Sequence, residues 1–334
     1  MFPRAAALFC VSLCAPAAWC QDQAVSATEP VAEKVLVVGQ RPGPGLWKVS
    51  KDDHVLWVFG TYTPLPAKME WRSQEVESII GQSQELLLTP GAGISVGWMD
   101  TLNIVTALPS LVSFRKNANG EALQEVIPAD LYARWLPLKA KYIGSDNAVE
   151  AVRPLFAAEE LFDKAMVKAG LASDRAVTKR IEDLAKQQKL KITSTSVHIA
   201  LENPRGALKD FKKSTLDDLP CFTKTVDRLE SDLEGMRLRA NAWAIGDVGK
   251  MRALVYPDQA EACRTAVTDS AWMKGLKGAE DLDARVKAGW VAAAEKALEN
   301  NRSTFALLPV ARAMNPGGLL DVLKSKGYTV EQPE

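Results

Sequence analysis

Few side chains in this 334-residue chain are equipped for chemistry, and their spacing narrows what that chemistry is. The stretch "GISVG", Gly93 to Gly97, has the glycine-x-serine-x-glycine spacing that exposes a nucleophilic serine, here Ser95, on a sharp turn from strand to helix. His198 is the only downstream histidine, and Asp163, Asp174 or Asp183 would preserve the order serine, acid, base. The elbow needs a strand running directly into its first glycine, whereas Pro90-Gly91-Ala92 intervene after the apolar "ELLLT". A short pattern inside a glycine-rich loop also arises readily by chance. His198 lies in the apolar, β-branched "STSVHIALENP", which predicts a partly buried, satisfied ring in place of a base. His54, in the charged "SKDDH" turn, reads as solvated. With two histidines and no CxxC, the residues themselves outline no zinc site.

Bulk properties exclude other classes. Lys+Arg and Asp+Glu both number 41, so no net field draws nucleic acid or an anionic surface. Apolar residues at 47% and charged residues at 25% suit an ordinary globular chain with a substantial core. The opening "MFPRAAALFCVSLCAPAAWC" places Arg4 before an apolar run, with small residues after it and Ala18 and Cys20 ahead of a cut at Gln21. That is the pattern of a cleavable signal peptide over residues 1–20, implying a periplasmic or secreted protein. The alternative is a lipid anchor on Cys20, which Trp19 fits poorly. No later stretch is apolar for long enough to span a bilayer. Export removes Cys10, Cys14 and Cys20 and leaves Cys221 and Cys263, which pair as one disulfide or remain as two buried thiols.

The elements that must position any site follow from periodicity. Residues 21–44 form a polar tail ending in "QRPGPG", with one apolar run at Val35–Val38. "GLWKVSKDDHVLWVFGTY" reads as two strands and a turn, "WRSQEVESIIGQS" as a helix with Ser73 at its N-cap, and "ELLLT" as an apolar third strand. From about 97 to 302 the chain reads mostly as amphipathic helices, "CFTKTVDRLESDLEGMRLRANAWAIGD" among them. "STFALLPVA", "GGLLDVLKSKG" and "YTVEQ" close as strand, helix and strand. The expected fold is α/β (α+β): a mixed sheet from the two ends and a large helical middle, one domain over 45–334. Trp47, Trp57, Trp71, Trp243 and Trp290 fall on periodic apolar positions and belong to the core, while Trp98 is free to face a ligand.

Four segments, "GLWKVS…VLWVFGTYTPLP", "WRSQEVESIIGQSQELLL", "RANAWAIGDVGKM" and "NPGGLLDVLKSKGYTVE", resemble the TraB/GumN family, to which the Tiki proteases are related. The resemblance implies a metal-dependent hydrolase. Such a protein has a Gly-x-x-His after the first motif strand, a glutamate ending the next, and a second Gly-x-x-His before the "GLL" helix. Neutral imidazoles and a carboxylate can hold a divalent ion with a position left for water. By that resemblance Gly60 keeps the glycine of the first motif, but Thr63 stands at the first histidine and Thr89, or Pro90 beside it, at the glutamate. Arg312 stands at the second histidine, with Pro309 and Ala311 beside it. A fixed guanidinium at a metal position repels the ion. The expectation is a binding or structural module without a resident cofactor, its ligand or protein partner unnamed, with a hydrolase of altered metal site as the alternative. Thr63, Thr89 and Arg312 are expected to line one cleft.

Overall fold

The computed structural model describes residues 44–69, 71, 73–96, 114–117, 119–173, 175–254 and 259–333. Residues 1–20, expected to form a signal peptide, nearly all of the polar tail, Gly97, Trp98 and Asp174 lie outside the described residues. Strands β1 (Leu46–Lys51) and β2 (His54–Thr61) form the expected antiparallel hairpin, with Lys51 opposite His54. Asp52 turns it with φ 54°, a left-handed conformation that short polar side chains tolerate. After β3 (Leu65–Pro66) comes α1 (Gln74–Gln82), which buries Val76 and Ile80 four residues apart. Ser73 precedes α1, yet its hydroxyl donates to Glu77 Oε1 at 2.7 Å and caps no backbone N–H. Strands β4 (Glu85–Leu87) and β5 (Ala92–Val96) follow.

The middle holds α2 (Leu123–Val126), α3 (Ala129–Tyr142), α4 (Pro154–Lys168), β6 (Leu171–Ala172), α5 (Arg175–Gln187), β7 (Lys191–Thr193) and β8 (Val197–Leu201). Next come α6 (Pro204–Lys213), α7 (Leu219–Ser231), α8 (Leu233–Ala244), α9 (Val248–Ala253), α10 (Gln259–Thr268), α11 (Ala271–Lys274) and α12 (Leu282–Asn300). The chain closes with β9 (Ser303–Pro309), α13 (Val310–Met314), α14 (Leu319–Ser325) and β10 (Thr329–Glu331).

Six strands form one mixed sheet in the order β10-β1-β2-β9-β4-β7. Its centre is the parallel pair β2 and β9, in register from Val55 against Ser303 to Thr61 against Pro309. Both strands are buried on both faces toward their C-terminal ends, which is why "WVFGT" and "FALL" read as runs and not as alternations. The sheet is α/β as expected, but the ends do not supply all of it. Its last strand, β7, comes from the middle and is only three residues long, too short to leave a periodic signal. A second, two-stranded parallel sheet joins β5 to β8, so "AGISV" is a strand where a loop was expected. Nor is β4 wholly apolar. Glu85 is buried at its start, where Lys191 Nζ at 2.9 Å, Asn301 Nδ2 at 2.7 Å and the Thr193 hydroxyl surround the carboxylate. Burial alone would raise its pKa, but these hydrogen bonds together hold it below the usual glutamate range.

One long helix was expected at "CFTKTVDRLESDLEGMRLRANAWAIGD", and it is two. Asp232 leaves helical geometry at φ −119°, ψ 8°, ending α7 and opening α8. The break turns its carboxylate inward onto Arg239, and Gly235 makes room, since a Cβ there would stand 2.1 Å from Asp232 Oδ1. Two large apolar clusters and a small third one at Ile199, Met273 and Ala279 lie among the described residues. The first packs Phe59, Trp243, Trp290 and Phe305 against the main sheet, and the second packs Trp135, Leu161, Phe222 and Met236 within the helical layer.

Cys221 on α7 and Cys263 on α10 are joined, with Cα atoms 4.5 Å apart and a sequence separation of 42. A bridge over such a loop stabilises by up to about 4 kcal/mol, chiefly by restricting the unfolded chain. Cys263→Ser should therefore lower the denaturant midpoint markedly. A variant as stable as the wild type under oxidising conditions would contradict the cross-link.

Candidate functional site

The site is built at the C-terminal ends of three adjacent parallel strands. Thr61 of β2 pairs with Pro309 of β9, and Leu87 of β4 with Ala306 of β9. Thr63, Thr89 and Arg312 thus follow neighbouring strand ends, the position where open α/β sheets carry ligands. Gly60 is fixed by packing. A Cβ there would come 2.6 Å from Trp47 Cζ3 and 2.7 Å from Val310 Cγ2, so the hairpin, β2 and the start of α13 can close only over glycine. Its carbonyl accepts a 2.6 Å hydrogen bond from Trp243 Nε1, tying the strand end to α8.

The next residue but one extends that tie. Tyr62 accepts at its hydroxyl from Arg239 Nε at 3.0 Å. Arg239 is buried, donates to the Leu254 carbonyl at 2.6 Å, and pairs with Asp232. Burial pushes the Tyr62 phenol upward while the Arg239 charge pulls it down, leaving a neutral acceptor. The helical layer therefore clamps "GTYT" through a paired, hydrogen-bonded buried cation. Thr63 itself is exposed beyond the clamp, and Thr89 is half-buried just past β4.

Arg312 takes a different direction. The helix α13 starts at Val310, immediately after β9, and buries Val310 and Ala313. That phase sends Arg312 toward α12, where its Nη2 lies 3.5 Å from Asp283 Oδ1. Nη1 is buried and has no hydrogen-bond partner among the described residues. Burial pushes the guanidinium pKa down, and the Asp283 charge opposes that shift. A cleft of about 440 Å³ opens here, lined by Glu261, Arg264, Asp283, Lys287, Arg312 and Asn315 among others. Thr63 and Thr89 are not among its lining residues. The sheet brings the three strand ends together, and the helical turn after β9 separates Arg312 from the two threonines.

This donor set does not fit a divalent ion. Two neutral hydroxyls and a guanidinium engaged with an acid supply neither imidazole nor carboxylate at the three strand ends. Among the described residues, no group of three or more His, Cys, Asp or Glu side chains is arranged to hold a metal.

The other candidates separate as well. Ser95 sits within β5, not on an elbow, and its hydroxyl donates to the Ile199 carbonyl at 3.4 Å. The His198 ring lies over Gly93 on the paired strand, but it is exposed, contrary to the buried ring expected from its apolar neighbours. Strand β8 belongs to a two-stranded sheet, so alternate residues face outward even in an apolar sequence. His54 is half-buried and not solvated: Nδ1 lies 2.5 Å from the Leu298 carbonyl as β2 passes the end of α12. Asp163 lies exposed on α4, and Asp183 pairs with Lys179 one turn away on α5. The cleft residues Glu261, Arg264, Asp283 and Lys287 were missed. Each occupies the polar side of an amphipathic helix, where a charge carries no distinguishing sequence signal.

A family model for the TraB/PrgY/gumN family matches residues 45–332, and the chain belongs to that family. No curated protein and no solved structure matches it. The matched span contains both strand-end motifs and the Arg239–Asp232 clamp between them.

The packing around Gly60 gives a direct test. Gly60→Ala should cost about 1–3 kcal/mol through overpacking against Trp47 and Val310, read from the urea midpoint. A neutral substitution would show that β2 and α13 have slack the described contacts do not contain.

Proposed function

We propose that this chain is an exported, non-catalytic member of its family, and that the cleft beside β9 serves binding. The observation that carries this reading is Arg312. It follows the strand end at which relatives by motif would present a histidine, and it is already engaged with Asp283. A guanidinium cannot lose its proton to become a ligand, and its charge repels a second cation nearby. The threonines at the other two strand ends support the same reading, since a neutral hydroxyl is a weak ligand that leaves the ion's charge uncompensated.

Export draws on the signal-like opening segment and on the Cys221–Cys263 cross-link, which an oxidising compartment maintains. No helix among the described residues is long and apolar enough to cross a membrane. N-terminal sequencing of the exported form should begin at Gln21. Recovery of an intact Met1 terminus would refute export.

Incubation with peptide substrates and manganese, cobalt or zinc should give no metal-stimulated hydrolysis. Introducing Thr63→His, Thr89→Glu and Arg312→His together should create no stoichiometric affinity for these ions, because α13 turns position 312 away from the two threonines. Metal-stimulated peptidase activity in the unaltered chain would overturn the non-catalytic reading. Tight binding of one ion by the triple variant would show that the three positions can still converge as an ion requires.

A further inference from the structure

In the cleft one carboxylate serves three cations. Asp283 lies 2.8 Å from Lys287 Nζ, 3.4 Å from Arg264 Nη1 and 3.5 Å from Arg312 Nη2. Only the lysine contact has the length of a tight charge-assisted hydrogen bond, about 2.7–2.9 Å. Glu261 is drawn to Arg264, one turn along α10. Three cations therefore face two carboxylates, and the acids are already committed.

Arg312 is the least satisfied of the three. A guanidinium has five N–H donors in a fixed fork. Its direct ion pair is the long one to Asp283, its Nη1 has no acceptor among the described residues, and three-quarters of the side chain is out of solvent. A buried charge with unmet donors is costly and gains from an added acceptor. A volume near 440 Å³ leaves room for a small molecule, and Pro309, Pro316 and Leu319 supply an apolar wall beside the charges.

We infer that this cleft binds a small anion, with a carboxylate or phosphate group seated among Arg312, Arg264 and Lys287. The inference rests on the binding role proposed above and names its ligand class. The tethered guanidinium supplies fixed positive charge inside the cleft, and attracts an oxyanion without activating water. Asp283 competes with the ligand: it holds the three cations together in the free protein and must share them when an anion enters.

The test uses the chain from Gln21 in the presence of EDTA at low ionic strength, titrated calorimetrically with inorganic phosphate and, separately, with succinate. At least one should saturate, and which binds more tightly distinguishes a phosphate from a carboxylate ligand. Arg312→Gln and Lys287→Gln should each weaken binding by about tenfold or more, the usual loss when a charge-assisted partner is removed. Asp283→Asn should strengthen it, because the competing carboxylate is gone; a purely structural Arg312–Asp283 pair predicts no such gain. Lys287 is half-exposed, so its variant decides the matter if Arg312→Gln fails to fold. The inference is overturned if neither anion saturates, or if folded Lys287→Gln binds as tightly as the unaltered chain. Anion binding together with metal-stimulated peptidase activity would remove the non-catalytic reading and leave this one standing. Absence of both would remove only this one.

Discussion

The parallel pairing of β2 with β9 is the constraint on which the rest depends. It joins segments from opposite ends of the chain, Val55–Thr61 with Ser303–Pro309, and buries both faces of their last turns of ladder. Burial on both faces forces each strand end to be covered from above and below. Trp47 and Val310 cover Gly60 so closely that no side chain fits there. From the other side Trp243 reaches the Gly60 carbonyl, and its ring meets Phe59 edge-on at 5.9 Å. Gly60 is thus explained by packing alone, whatever happens at the residues beyond it.

Those residues decide the chemistry. The three strand ends carry Thr63, Thr89 and Arg312, two neutral hydroxyls and a guanidinium. Charge distinguishes the cleft from a metal site. A metal site gathers negative and neutral donors around one cation, whereas here three cations gather around two carboxylates. The disulfide bears on the same cleft. Cys263 lies on α10 between Glu261 and Arg264, so the cross-link to α7 holds the helix that presents them.

Much of this was legible in the sequence, for reasons that can be named. The hairpin and β9 were read because their apolar runs are long and bounded by turn residues, and α1, α4, α5 and α12 because their periods repeat over several turns. Counting, once the opening segment was set aside, left two cysteines that could pair or stay as buried thiols, and they are joined. Three features were not legible. Strand β7 is three residues long and is specified by its neighbours β4 and Glu85. The break at Asp232 depends on Arg239, a tertiary partner that outweighs helical propensity. The cleft's composition depends on the helix starting directly at Val310, which rotates Arg312 away from the threonines and onto Asp283. Sequence order brought the three positions to one edge; only the helical phase separates them.

The central proposal is that this chain works without a resident metal, its Arg312 guanidinium turned away from the strand ends into the cleft beside them. Elemental analysis of the protein, purified without chelator and dialysed against metal-free buffer, tests it most directly. The account predicts manganese, iron, cobalt and zinc well below one ion per chain, unchanged in Arg312→Gln. One equivalent of a single transition metal, lost when Thr63 and Thr89 are both replaced by alanine, would contradict it.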